Sequence, residues 1–209
     1  MIKQQTRQQS LLSPKVIRVI HSYSSMLMLL IMLFFTVTGL TLNNRDWLPD
    51  AEPSQISEIQ LPEPLQQDKR WQQEPLAIAE SVRQWLYQQH GLSGNQVSYE
   101  WDESEGLLLI DVKRPGGYTL AEVIPEEGSV LLEQQHYGLL STLNDLHMGR
   151  YSGVIWSWFI DISAVVMLLF TLTGFWLILP QKKKRRKLLS ACALGTAAML
   201  AGYWTVLVP

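Results

Sequence analysis

Four histidines, His21, His90, His136 and His147, are the side chains in this sequence best suited to coordinate a metal. Neutral imidazole offers a nitrogen lone pair to a metal while its second nitrogen makes an orienting hydrogen bond. Two other residues stand out by context. Asp161 is the one acid that lies inside an apolar run, and Cys192 is the single cysteine. One cysteine forms no disulfide within the chain and no cysteine-based metal site. The sequence contains no nucleophile motif, Gly-rich phosphate loop, dinucleotide fingerprint or zinc-ligand spacing. Hydrolytic or NAD-dependent chemistry housed wholly in this chain is therefore not expected.

The elements that must position these residues are set by three apolar blocks, at 20–42, 154–179 and 188–208. Each reaches the about 20 residues that a helix needs to cross a bilayer. The third is rich in Gly and Ala, which suit close helix packing in lipid. Lys3, Arg7, Lys15 and Arg18 precede the first block, and Lys182, Lys183, Lys184, Arg185, Arg186 and Lys187 separate the second from the third. These are 10 of the 17 basic residues, so the positive-inside rule makes 1–19 and the loop 181–187 cytoplasmic. Residues 43–151 and the C-terminus then lie outside. Trp156 and Trp158 at the outer end of the second span fit an interfacial aromatic belt. The Lys-Arg run reads as a topology signal that also touches anionic lipid, not as a nucleic-acid site. The first block is too long for a cleavable signal peptide, and no small-x-small site follows it.

Between Asn43 and Arg150 there are 18 acids and seven bases, a balance of −11. Such a surface keeps the domain soluble and concentrates cations near it. Residues 49–74 carry Pro49, Pro53, Pro62 and Pro64 among Gln and Asp and read as an extended linker. A helix is expected over 75–90, opened by Pro75 and closed by Gly91. Four strands follow, over 96–101, 106–113, 118–124 and 130–135, with turns at Gly116-Gly117 and Glu126-Glu127-Gly128. One helix on a small antiparallel sheet is an α+β pattern.

The helix-then-strands unit, with Ala121-Glu122-Val123-Ile124 followed by Glu127-Gly128-Ser129-Val130-Leu131, resembles the PepSY domain. The flanks resemble the PepSY-associated transmembrane proteins: His21 with Thr38-Gly39-Leu40 and Asn43, then Leu143-Asn144-Asp145-Leu146-His147-Met148-Gly149-Arg150 with Gly153, leading to Thr173-Gly174. The resemblance covers most of residues 16–180. It implies three transmembrane α-helices with an α+β PepSY-like extracytoplasmic domain inserted between helices 1 and 2. It also implies a bacterial inner membrane, a periplasmic domain and a link to iron acquisition. Larger members resemble inner-membrane reductases of ferric siderophores that carry b-type haem on histidines. PepSY domains elsewhere are inhibitory modules attached to peptidases.

Haem or iron is then expected on His21, His147 and His136, with His147 and His136 as the metal pair on the outer side. His21 opens the first span and His147 precedes the second, so about 30 Å of helix separates them at 1.5 Å per residue. They cannot ligate one iron within a single chain. Each could meet its copy in a homodimer, His136 and His147 could act together, or each could take one haem face alone. Against these stand plainer roles: a helix cap or interfacial hydrogen bond for His147, an interfacial polar residue beside Tyr23 for His21, a helix end for His90. Asp161 lies about 10 Å inside the second span, where an acid is expected to face the bundle interior, with Thr36 and Thr38 at similar depth.

An internal echo joins the two spans. Phe35-Thr36-Val37-Thr38-Gly39-Leu40 matches Phe170-Thr171-Leu172-Thr173-Gly174-Phe175. Helix packing explains it through small residues and threonine hydrogen bonds; a haem edge against Gly39 or Gly174 is the sharper alternative. Two functions follow as expectations. One is electron transfer that reduces ferric iron or a ferric siderophore outside the cytoplasm, feeding a ferrous transporter or siderophore uptake system. The other is a non-enzymatic, membrane-anchored PepSY module that regulates a periplasmic peptidase or an uptake component.

Overall fold

The computed structural model describes residues 13–207. Lys3, Arg7 and the end of the third apolar block lie outside the described residues. Among the described residues, three helices are long and apolar enough to cross a membrane: α1 (Pro14–Asn43), α6 (Gly153–Ile178) and α7 (Arg185–Leu207). Their large apolar side chains face outward, Leu30, Ile155 and Val206 among them. In water such surfaces would drive aggregation, and in lipid they are solvated. The protein is an integral membrane protein. The expected spans fall on these helices, each starting earlier than the apolar block because the flanking polar residues continue the helical hydrogen bonding.

The chain divides into two compact units, Leu33–Ile160 and the described residues on either side of it. In the larger unit, β1 (Gln55–Gln60), β2 (Gln96–Asp102), β3 (Leu107–Arg114), β4 (Gly117–Ile124) and β5 (Ser129–His136) form one antiparallel sheet of order β1-β5-β4-β3-β2. Helix α4 (Leu76–His90) closes one face of it. Its Ile78, Ala79, Val82 and Leu86 recur at helical spacing and are fully buried. They meet Leu108, Ile110, Val112, Ala121, Val123, Val130 and Leu132 from alternate strand positions.

The stretch 49–74 is not an extended linker. It contains the edge strand β1, paired with β5 from Gln55↔Gln134 to Gln60↔Ser129, and two short helices, α2 (Glu63–Gln66) and α3 (Arg70–Gln73). Its prolines bracket the strand instead of interrupting it: Pro53 precedes β1 and Pro62 follows it. Leu61 reaches the core and Trp71 packs at its margin. The sheet therefore has five strands, one more than the pattern of the sequence indicates.

A further helix, α5 (Gly138–Met148), follows β5 and ends on Gly149 in the left-handed conformation. The β3–β4 turn is docked on it. Gly116 has φ +76° and donates its N–H to Asp145 Oδ2 at 2.8 Å, while its carbonyl accepts from Tyr137 N. A Cβ at Gly116 would come within 2.0 Å of Thr142 Oγ1. Only glycine allows both the turn and this approach.

The buried positions of α1 follow a heptad-like seam. Ile17, Ser24, Met28 and Thr38 are buried, and His21, Ile31 and Phe35 on the same stripe are half-buried. On α6, Ile160, Ser163, Met167, Phe170 and Gly174 form the matching stripe. This spacing of alternating three and four residues keeps each stripe on one helix face. α7 is exposed along nearly its whole length, Cys192 included.

Candidate functional site

His21 lies on the α1 stripe and His147 on α5, and each is held by the same five-residue pattern, Phe-x-x-Thr-Gly, on another helix. His147, in the last turn of α5, places Nδ1 2.6 Å from Thr38 Oγ1 on α1. Its ring meets Phe35 edge-on, at 5.0 Å between centroids and 71° between planes. Its Cε1 lies against Gly39, 3.6 Å from where a Cβ would stand. His21, on α1, places Nδ1 3.1 Å from Thr173 Oγ1 and 3.2 Å from the Phe170 carbonyl on α6. Its ring stacks on Phe170 at 4.8 Å and 10°. Its Cε1 lies 3.1 Å from the Cβ position of Gly174. The sequence echo thus has a structural meaning: each Thr-Gly pair is a cradle for one histidine. The group lying against both glycines is an imidazole edge.

Donor bookkeeping fixes which nitrogen carries the proton. Thr38 Oγ1 donates to the Phe34 carbonyl at 2.6 Å, one turn back on its own helix. A hydroxyl has a single proton, so Thr38 accepts from His147, whose Nδ1 is the protonated nitrogen. At His21 a carbonyl, which can only accept, leads to the same assignment. Thr173 also spends its proton on its own helix, on Leu169 O at 2.7 Å or Phe170 O at 3.0 Å. In both neutral rings the lone pair is on Nε2, and neither Nε2 has a protein hydrogen-bond partner among the described residues.

A second rung supports His147. Asn144, three residues earlier on α5 and buried, accepts from Thr41 Oγ1 at 2.6 Å. Residues three apart lie on one helix face, so Asn144 and His147 match Thr41 and Thr38. Asp145 points the other way, to the Gly116 turn. The segment Asn144-Asp145-Leu146-His147 therefore ties the sheet to α1. Trp156 adds to the same contact, donating its indole N–H to Leu146 O at 2.8 Å. Asn144 and Thr41 could have been assigned from the repeated three-residue spacing, and Phe35 and Phe170 from the echo.

The other expected residues lie elsewhere. His136 is exposed at the end of β5, with Arg114 Nη2 2.9 Å from its Nε2 and 3.2 Å from its Nδ1. Arg114 occupies the ring with a cation, and His136 shares no partner with His147 among the described residues. No group of three His, Cys, Asp or Glu able to hold a metal occurs among the described residues. His90 ends α4 with its ring edge-on to Trp85. Asp161 is exposed on α6 and does not face the interior; Ser163 is the buried residue there. Two helical steps of 100° put positions 161 and 163 on opposite faces. By the same phase Thr36 is exposed and Thr38 buried.

The fold is thus that of a membrane protein with three apolar helices and a five-stranded antiparallel sheet, the strands following α1 and preceding α6 and α7. A family profile described as Putative PepSY_TM-like matches residues 13–207, and the chain belongs to this PepSY-associated transmembrane family. No curated protein and no solved structure matches the chain.

Proposed function

We propose that this is a bacterial inner-membrane electron-transfer protein, with b-type haem on His147 and His21. It would support reduction of ferric iron or a ferric siderophore on the periplasmic side, for uptake by a ferrous transporter or siderophore system. The observation that carries this reading is the shared state of the two rings. Each is anchored through Nδ1–H and leaves an Nε2 lone pair without a protein partner. That is the arrangement of an imidazole prepared for a metal, where the hydrogen bond on the far nitrogen fixes the tautomer and raises ligand basicity.

The residues fit the group. When bound, haem would supply a one-electron ferric/ferrous couple. The chain's own contribution is to orient Nε2, to surround the rings with Phe35 and Phe170, and to tie His147 to the sheet through α5. His21 and Thr38 lie on one continuous helix, at residues 21 and 38, so the reading places one haem at each cradle. His147 and His21 would each hold one haem, alone or with the same histidine of a second copy of the chain in a homodimer. The basic segments support a cytoplasmic N-terminus and 181–187 loop, with the acidic domain outside.

The test is a dithionite-reduced minus oxidised spectrum of the purified protein in detergent, with a pyridine haemochrome assay. A b-type band is expected, reduced by about half in His147→Ala and in His21→Ala if each cradle holds one haem. A colourless, folded protein from haem-supplied cells would overturn the reading. A second reading, a partner-binding PepSY module, is favoured by one feature: β1 and β2 are the outer strands of the sheet, onto which a peptide strand can pair. Pull-down of a periplasmic protein by the colourless, folded chain would establish it.

A further inference from the structure

We propose that Thr38 is a positioning residue that sets the tautomer of His147, and that at His21 Thr173 shares this task with the Phe170 carbonyl. The inference rests on the reading of the two histidines as ligands and names what makes them so. An imidazole beside a threonine has two choices. If the hydroxyl donates to Nδ1, the ring proton moves to Nε2, and Nε2 has no lone pair for a metal. If the hydroxyl accepts, Nδ1 keeps the proton and Nε2 is open. The helix decides between them. Thr38 Oγ1 is 2.6 Å from the Phe34 carbonyl, which can only accept, and this bond holds the hydroxyl proton. Thr38 is 3% exposed, so water does not offer the proton another destination. The β-branched side chain is stiff about χ1, which keeps Oγ1 between the carbonyl and the ring.

The two cradles differ in redundancy. Thr38 is the only hydrogen-bond acceptor of the His147 Nδ1–H among the described residues. His21 Nδ1 has two acceptors, Thr173 Oγ1 and Phe170 O. Removing the hydroxyl should therefore free the tautomer of His147 and leave that of His21 mostly in place. The same hydrogen bond would tune a bound iron, since donation from Nδ1–H makes the ligand more basic and favours the ferric form.

The tautomer can be read without haem. In full-length protein carrying 15N-histidine, in detergent and at a pH that keeps the rings neutral, long-range 1H–15N correlation distinguishes Nδ1–H from Nε2–H. Wild type should show Nδ1–H for both His21 and His147. Thr38→Val should convert His147 to a mixture or to Nε2–H, Thr38→Ser should keep Nδ1–H, and Thr173→Val should leave His21 largely unchanged. An Nε2–H wild-type His147, or a Thr38→Val ring still in the Nδ1–H form, would overturn the proposal. In haem-loaded protein, Thr38→Val should lower haem retention several-fold or raise the midpoint potential at one site, with Thr38→Ser near wild type. Unchanged retention and potential in Thr38→Val would overturn the positioning role. A colourless wild type with the expected tautomers would sink the haem reading alone and leave the tautomer assignment standing.

Discussion

The cradle around His147 and the cradle around His21 use the same residues and are built to different tolerances. His147 rides on an 11-residue helix, has one acceptor, and meets its phenylalanine edge-on. His21 is part of a 30-residue apolar helix, has two acceptors, and stacks flat on its phenylalanine. A short helix gains little from its own backbone hydrogen bonds, so α5 depends on its neighbours for its position. Those neighbours are the Gly116 turn on one side and Thr38 and Thr41 on the other. Contacts with Phe170, Thr173 and Gly174 on α6 supply the corresponding restraint for His21. The same local motif thus gives one histidine fixed by its membrane helix and one coupled to the sheet. A load on the sheet reaches His147 through Asp145, whereas His21 rests on its packed seam.

The largest test of this difference is Gly116→Val. The residue must adopt φ +76°, and its side chain would enter the space of Thr142. The left-handed conformation alone costs roughly 1–2 kcal/mol for a side chain, and the clash raises the total to about 3 kcal/mol. Thermal unfolding in detergent should fall by several degrees, and the 15N signals of His147 should broaden or move while those of His21 stay. Movement of both would show that the two cradles are not independently supported.

Asn144→Leu probes the second rung. It removes a buried bond to Thr41 and overfills a polar site, at a cost of about 1–2 kcal/mol. Thr41 Oγ1 can still donate to the Thr38 carbonyl, 2.9 Å away, which limits the loss. Limited proteolysis should cut near α5 faster in this variant. Adding Thr41→Val should cost little more, because the partner left behind is then removed as well.

Much of this arrangement was legible in the sequence, and the rest failed for identifiable reasons. The membrane helices follow from three apolar runs, and the strands β2 to β5 from alternation and Gly-containing turns. The matching Phe-x-x-Thr-Gly segments were visible, but what fills them was not, since a sequence repeat does not say which distant side chain lies against it. β1 was hidden because prolines two residues outside each end of a six-residue strand look like a linker. Asp161 was expected inside the bundle from its depth alone. Depth and helical phase are separate variables, and the phase that buries Ser163 turns Asp161 outward. The metal pair of His136 and His147 assumed that nearness in sequence brings two rings together, and the Arg114 guanidinium instead claims His136.

The glycines offer a finer comparison. Alanine in a helix interior is favoured over glycine by about 1 kcal/mol. At Gly39 the new methyl would be 3.6 Å from His147 Cε1, an ordinary contact, so Gly39→Ala should be neutral or stabilise by up to about 1 kcal/mol. At Gly174 the methyl would be 3.1 Å from His21 Cε1, and the stacked ring has Phe170 to resist its retreat. Gly174→Ala should lose that gain and end about 1 kcal/mol below Gly39→Ala, measured as the difference in Tm between the two variants. Equal Tm values would mean that the His21 seam yields as easily as α5.

Acid should separate the two regions by the smallest margin. The sheet carries a surface cluster in which Arg83 donates to Glu80 at 2.5 Å and Tyr99 donates to the same carboxylate at 2.5 Å. The Arg83 hydrogen bond, helped by Tyr99, lowers the Glu80 pKa from 4.5 to about 2. A carboxyl with a lowered folded pKa stabilises the fold above its unfolded value, and this contribution is lost as pH falls from about 4.5 towards 2. Glu80 is largely exposed, with 62% of its side chain accessible, so solvent screening leaves well under about 1 kcal/mol. Between pH 5 and 3, Glu80→Gln should flatten a small part of the acid-induced loss in sheet stability, followed by amide exchange of β2 and α4. Exchange in the α1–α6 seam around His21 should show no Glu80-dependent change over the same range. A seam that responded equally would mean that the sheet and the His21 cradle unfold as one unit, and the contrast between the two cradles would then be one of geometry without a difference in stability.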